Sequence, residues 1–496
     1  MEKCDNVMEN QPPSVHYGGE KVDSESFTPP KNCKRRFKKM FSINRNTLPC
    51  KIALLCVSLC QGSVNPFVNA FLRSVGFTAS QAGFVSGIRT FAQMISNPIF
   101  AAIADKSRKH QLVFILLCCS SIAFVVPEPW YAVLLRDSKS VLSSISNSSL
   151  PTNSSRVDSK DSFRSLISSP TDSSASNLYF IGMASIICMA GFSDGPLLNF
   201  VDSQTVYILS TDPSGPSYGQ QRAFGSIGYG LATILGGILT GHALTEGHEI
   251  SKYTPVFYVY LAGALLLILA GIFLYRKRVY KSDDCSKYKP EDSSKSPKVA
   301  SLIVQSIKQP DLLFFYCSAM VMGIADCTLV SFFFLLLEDI GAPGSVMGLC
   351  IGLQNICELF VLPFASKIIR CMGGVYVAVL MGATSYVVRF LLVSFLDNVW
   401  LILATSVLHI FCFAIYWTAA LEKVSSLCSK EVCTTILGFH NAIYFGLGSL
   451  LGNVIGGHVY HEFGGRWLYR GAAGVCLLWM LVVFPKFILE RRRRVK

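Results

Sequence analysis

Six ionisable side chains stand inside long apolar runs of this sequence: Arg89, Asp194, Asp326, Glu358, Arg389 and His409. A charge at mid-bilayer costs about 2.5–3.5 kcal/mol on the most lenient scale, so each must face a cavity or a partner. Desolvation pulls a buried carboxyl toward its protonated form, and a nearby guanidinium pulls it away. Glu358, balanced between the two, can gain or lose a proton as its surroundings shift. Counted at about 1.5 Å per residue from the outer ends of their helices, Arg389 lies roughly 11 Å deep, Asp326 and His409 roughly 17 Å, and Glu358 roughly 20 Å. These four can meet around one point. Arg89 comes out at roughly 13 Å and Asp194 at roughly 25 Å, which argues against a direct pair. The alternative to chemistry is a buried salt bridge that only ties three helices together. His440 is expected to do no more than bond a neighbouring backbone carbonyl.

A second group of charges closes the helix ends. Asp105, Lys106 and Arg108 follow one apolar run, and Asp202 and Arg222 flank a later loop. Acids contribute little to membrane orientation, so Asp105 in particular suggests a cytosolic gate latched by bases on neighbouring helices. Lys106 also serves as a plain topology signal.

The elements that must carry these residues are membrane-spanning helices. Of 496 residues, 51% are apolar and 15% charged, against about 25% charged in soluble domains. Val256–Tyr275 has no charge at all and Leu178–Leu198 has Asp194 alone; both reach the roughly 20 residues that cross a bilayer. Spans are expected near 51–72, 81–104, 111–131, 178–200, 223–244, 255–276, 311–336, 345–367, 373–396, 398–422, 433–461 and 466–487. The net charge of +13 sits beside these spans, so it points to anionic membrane lipids rather than nucleic acid. The 18 cysteines are scattered, mostly inside the spans, and show no metal spacing, so small apolar packing residues are expected, with no metal and no cofactor.

Residues 1–49 read as a polar cytosolic arm, without the pattern of a cleavable signal peptide. Residues 132–176 are Ser-rich and hold two glycosylation sequons, at Asn147 and Asn153; these are used on the outer side. That places both termini in the cytosol of a multi-pass protein, at the plasma membrane rather than an endomembrane. The expected halves are 50–276 and 311–487, with a cytosolic linker at 277–310 and a basic tail at 488–496.

The halves repeat each other. Gly76, Gly83, Gly87 and Pro98 match Gly341, Gly348, Gly352 and Pro363 at one offset of 265 residues. Gly236, Gly241 and His242 match Gly452, Gly457 and His458 at 216, and the difference is close to the length of the Ser-rich loop. Six spans per unit give both halves one orientation. Arg89 and Gln93 then stand opposite Gln354 and Glu358, each an i, i+4 pair on one helix face. The glycines allow close backbone approach, which drives helix packing in lipid. They serve rigid packing, or smooth surfaces on which two halves rock.

Several motifs carry a resemblance. Ala104-Asp105-Lys106-x-Arg108-Lys109 is similar to the loop 2–3 signature of the major facilitator superfamily, whose usual form has Gly, then Asp-Arg-x-Gly-Arg-Arg. Ala101 replaces the leading Gly and Arg108 the second. Gly87-Ile88-Arg89 with Asn97-Pro98, Asp202-Ser203, and Tyr218-Gly219-x-Gln221-Arg222-x-x-Gly225-Ser226-Ile227-Gly228 resemble the major facilitator superfamily domain-containing protein 6 family. So do Leu408-His409 with Phe413 to Trp417, Tyr444-Phe445-Gly446-x-Gly448 and Gly456-Gly457, over about residues 41–485 in all. The resemblance implies an all-α major facilitator fold of 12 transmembrane helices in two six-helix pseudo-repeats. It also implies kinship with lactose permease and nucleoside–proton symporters. In the permease, a Glu, an Arg and a His in spans eight, nine and ten serve sugar binding and proton coupling; Glu358, Arg389 and His409 occupy the matching spans. The permease has a further Glu one turn after its His, where this chain has Cys412.

The expected function is secondary transport of a small polar solute, coupled to protons, by a monomer. A receptor or scaffold on the same frame is the alternative, motivated by the loop at 132–176. An enzyme is not expected, since no nucleophile–base pair or metal-ligand spacing recurs at one depth.

Overall fold

A computed structural model of the chain describes residues 47–135, 170–210, 218–243, 251–276, 299–428 and 432–495. The sequons at Asn147 and Asn153, with most of the arm, of the Ser-rich loop and of the linker, lie outside the described residues.

The described residues are helical. In chain order the long helices are α1 Leu48–Ser74, α2 Ala79–Ser107, α3 His110–Leu135, α4 Pro170–Ser210, α5 Tyr218–Ala243 and α6 Thr254–Arg276. The second set is α7 Pro310–Asp339, α8 Gly344–Met372, α9 Val375–Phe395, α10 Val399–Ser426, α11 Thr435–Phe463 and α12 Gly465–Val495. A short helix, Val299–Lys308, precedes α7. Eleven of the long helices are apolar enough to cross a membrane, and α2 is not among them. Twelve spans were expected; α2 falls short because Gln81, Arg89, Gln93 and Asn97 interrupt it. Its 29 residues are nonetheless long enough.

Local signals explain the starts and stops. Thr78 and Gln81 form a capping box at the head of α2, Thr78 Oγ1 accepting from the Gln81 N–H and Gln81 Oε1 from the Thr78 N–H. Repeat partners Gly76 and Gly341 both turn the chain with positive φ, 101° and 81°, a conformation glycine adopts without penalty. They feed α2 and α8 respectively. Asn398 caps α10 by accepting from the Trp400 N–H. α12 runs through the expected basic tail as far as Val495.

α1 and α7 are central: 78% and 67% of their most apolar windows are buried, against 17% for α12. Phe67 of α1 meets Phe334 of α7 edge-on, with ring centroids 4.8 Å apart. α2 packs on α4 and α11, and α5 packs on α1 and α8. The α2–α11 and α5–α8 crossings join the two six-helix groups, and the repeat glycines Gly83, Gly87, Gly241, Gly348, Gly352 and Gly457 sit in them. A Cβ on Gly83 would lie 2.8 Å from Gly457 Cα, and one on Gly348 would lie 3.0 Å from Gly237 Cα. Such backbone contact is the close approach that drives helix association in lipid. Large apolar side chains such as Leu265, Leu269 and Phe273 of α6 and Leu478 and Leu481 of α12 are exposed, as lipid-facing surfaces require.

Two ion pairs bind the groups together at the end that carries Gly76 and Gly341. Arg73 Nη1 meets Asp339 Oδ1 at 2.7 Å, and Lys252 Nζ meets Glu338 Oε1 at 2.6 Å. Tyr460 donates to Asp339 Oδ2 at 2.6 Å, and Tyr253 donates to Glu338. Burial and the Glu338 carboxylate push the Tyr253 hydroxyl well above its ordinary pKa, so it stays a neutral donor.

The second group carries the 3₁₀ and π segments. α8 passes through a 3₁₀ turn at Leu362–Phe364. α10 contains a 3₁₀ turn, Ser406–Leu408, and then a π segment, Ile410–Ile415. α11 has its own π segment at Ala442–Gly448. Such segments concentrate at functional sites.

Candidate functional site

His409 stands between the 3₁₀ turn and the π segment of α10. Its Nε2 lies 3.1 Å from Glu358 Oε1 of α8, and its Nδ1 lies 3.2 Å from Arg389 Nη1 of α9. All three side chains are buried, Arg389 completely. A guanidinium only donates, so Nδ1 accepts and Nε2 carries the proton that points at Glu358. The chain of contacts is Arg389 to His409 to Glu358. A second proton on His409 would set an N–H against the guanidinium. The Arg389 guanidinium also lies 5.8 Å from the Phe333 ring centroid, and its Nε and Nη2 have no hydrogen-bond partner.

Asp326 of α7 joins this group through Tyr386, whose hydroxyl donates to Asp326 Oδ1 at 3.0 Å from one turn before Arg389. Glu358, Arg389 and His409 are thus in contact, and Asp326 is adjacent. Cys412, where the permease has its further Glu, is fully buried on the turn after His409.

Arg89 and Asp194 do pair, contrary to the depth count. Arg89 Nη2 donates to Asp194 Oδ2 at 2.6 Å, and Gln93 Nε2 donates to Asp194 Oδ1 at 2.9 Å. The reason is register. Phe77 packs on Tyr179, Arg89 on Gly191 and Gln93 on Gly195, which sets α2 against α4 at a constant offset of 102 residues (179 − 77, 191 − 89, 195 − 93). Leu178 is therefore level with Gly76 rather than Gln81, and Asp194 with Ala92. Asp194 lies only about 4.5 Å along the axis from Arg89, within reach of a guanidinium. α4 begins at Pro170, so the first apolar residue was a poor marker of depth.

Sequence reasoning gave three side chains no role at the site. Tyr229 of α5 lies within electrostatic range of Arg89, Asp326 and Glu358, members of both charge groups. Its only sequence signal is a place between Gly228 and Gly230. Glu128 is fully buried beside Arg89 and Asp194, and its signal was masked by Pro127 and Pro129. Trp417 ends a row on α10: His409, Phe413 and Trp417 are parallel within 7° and 9°, with centroids 5.9 Å apart at each step. His440 follows 5.6 Å from Trp417. It was expected to bond a carbonyl, yet it is fully buried and neither ring nitrogen has a hydrogen-bond partner.

The residues expected to form a gate sit at the opposite end from the Arg73 and Lys252 pairs. Arg222 Nη1 lies 3.7 Å from Asp202 Oδ1, joining α4 to α5, and His110 of α3 lies 3.4 Å from the exposed Asp105. Both pairs are inside the first six helices. Lys106 is exposed, and Arg108 ends α2 in the left-handed region at φ 54°. Among the described residues, no cluster of three His, Cys, Asp or Glu can hold a metal ion.

The MFS_1 like family profile matches residues 50–471. The chain belongs to the MFS_1 like family. Within it, the chain is 24% identical over 241 residues to the human "Major facilitator superfamily domain-containing protein 6-like", which covers 48% of this chain and 39% of that protein. It is 23% identical over 258 residues to the "Uncharacterized transporter YwbF" of Bacillus subtilis (strain 168), covering 52% of this chain and 59% of that one. The chain thus spans roughly two-fifths to three-fifths of these relatives. The crystal structure of the nucleoside transporter NupG has the same fold, with a TM-score of 0.64 at 14% identity over 90% of this MFS_1 like chain and 99% of that chain.

Proposed function

We propose that this MFS_1 like protein is a secondary transporter that carries a small polar solute by alternating access, driven by protons. The observation that carries the proposal is the buried relay Arg389–His409–Glu358 in one helix group, with the buried Arg89–Asp194 pair in the other. α2 is the twelfth span in this proposal, its polar face turned to a cavity between the halves. A proton on Glu358 removes the anion that orients His409 Nε2–H. His409 is then free to leave Arg389, which exposes donors to a solute. Arg89, Gln93, Asp326 and Tyr229 complete the polar lining. Both termini, and the Asp202–Arg222 end, face the cytosol; the Arg73–Asp339 end faces outward, with glycosylated Asn147 and Asn153 beyond it. The protein acts at the plasma membrane as a monomer.

The row His409–Phe413–Trp417 offers ring faces to a planar solute. NupG is a nucleoside transporter, so nucleosides head the panel of solutes, followed by sugars and amino acids. The test is uptake into proteoliposomes with and without an inward proton gradient. The gradient is expected to raise accumulation of one solute class. Glu358→Gln is expected to cut gradient-driven accumulation about tenfold or more, the value of a hydrogen bond to a charged group, and to spare exchange of solute for solute. Unchanged gradient-driven uptake in Glu358→Gln would sink the coupling role. No uptake of any solute, with cysteine labels reaching the cavity from one side only, would favour a receptor or scaffold.

A further inference from the structure

Helix α3 turns at Val126 and Pro127 and resumes at Glu128. Glu128 is fully buried, and neither of its carboxylate oxygens has a hydrogen-bond partner. The charges that act on it are Arg89 from α2 and Asp194 from α4. From α6, Tyr260 places a buried hydroxyl near the same two residues. Arg89 uses Nη2 on Asp194, and its Nε has no partner. One guanidinium therefore serves two carboxyls, one bonded and one not.

An ionised carboxylate without a hydrogen bond is far costlier in the interior than a neutral carboxyl. Two carboxyls sharing one site cannot both ionise cheaply. While Arg89 is held by Asp194, the proton belongs on Glu128. The repeat gives independent support. Helices α2, α3 and α4 carry Arg89, Glu128 and Asp194; their counterparts α8, α9 and α10 carry Glu358, Arg389 and His409. The signs are inverted between α2 and α8 and between α3 and α9, while α10 places a neutral His409 where α4 has Asp194. At the 265-residue offset Glu128 matches Val393, one turn from Arg389.

We infer that Glu128 is a proton-binding carboxyl of the first helix group, neutral while Arg89 is bonded to Asp194 and ionised when Arg89 turns to it. The proton leaves to water, and an Arg89 N–H takes its place as the partner of the carboxylate. For its use in transport this rests on the proposed proton coupling; the binding of the proton does not.

The test is infrared spectroscopy of the full chain in phosphatidylcholine vesicles, with protons as the only ligand. At neutral pH the protein is expected to show the C=O stretch of a neutral, non-hydrogen-bonded carboxyl. Labelling glutamate carboxyls with ¹³C should shift that band. Glu128→Gln should remove it, and Glu358→Gln should leave it. Arg89→Gln removes the competing cation, so the band should persist to at least one pH unit higher, a tenfold gain in proton affinity. A wild-type band that is absent, or insensitive to glutamate labelling, overturns the inference without any variant; so does a band that survives Glu128→Gln. Should Glu128→Gln fail to fold, Glu128→Asp must move the band out of the glutamate-labelled set. A missing band overturns the proton site whether or not the chain transports, and a band without solute uptake overturns the transport proposal alone.

Discussion

Arg108 is the one non-glycine residue with positive φ among the described residues. L side chains pay roughly 1–2 kcal/mol in that region, and the family signature has Gly at this position. The strain is local and the side chain is exposed, so Arg108→Gly is expected to stabilise the protein by up to about 1 kcal/mol, after the larger unfolded-state entropy of glycine. Thermal unfolding in detergent should show a higher midpoint. The six buried charges were legible because each one violates the rule against charge in hydrocarbon. Their partners were less so. Arg389, His409 and Glu358 fell at compatible depths, whereas Arg89 and Asp194 were separated by a count that began at the wrong residue. Glu128 was not legible at all, because two prolines hid the helix that buries it.

At the scale of helices, apolar length predicted where spans lie but not how they slide past one another. The 102-residue register of α2 against α4 depends on Gly191 and Gly195 fitting against Arg89 and Gln93, a three-dimensional fit with no one-dimensional trace. The π segments beside His409 and Tyr444 were equally silent, since their residues are ordinary apolar ones. The repeat glycines were readable, and their crossings can be tested. At Gly83 and Gly348 a side chain would strike backbone atoms of α11 and α5, which cannot swing aside. Gly83→Val and Gly348→Val are each expected to destabilise by about 1–3 kcal/mol, as overpacking does. Gly474 of α12 meets nothing within 4 Å of a built Cβ, so Gly474→Ala should instead stabilise the helix by about 0.5–1 kcal/mol. Chemical or thermal unfolding of the three variants side by side measures the contrast.

For the molecule as a whole, two groups of helices meet along the α2–α11 and α5–α8 crossings, and charged residues clasp them at one end. That duplication was visible as two constant offsets in the sequence. The clasp was not, because Glu338 and Asp339 at the tip of α7 look like any polar helix end. Asp339 takes both the Arg73 ion pair and the Tyr460 hydroxyl. Asp339→Asn is expected to loosen the clasp by up to about 1 kcal/mol, the upper range for exposed pairs, or about fivefold in the open population. A membrane-impermeant maleimide should then react severalfold faster with a cysteine placed at the buried Thr328.

The Arg73 and Asp339 side chains are 41% and 36% exposed, so the fluid bathing that face reaches them. The Debye length shrinks from about 30 Å at 0.01 M salt to about 8 Å at 0.15 M. Dissolved ions therefore weaken this attachment while leaving Arg389 and Glu358 beyond their influence. Simple electrolyte concentration on one side of the bilayer becomes a dial for conformational bias, separate from the acidity that acts on the interior.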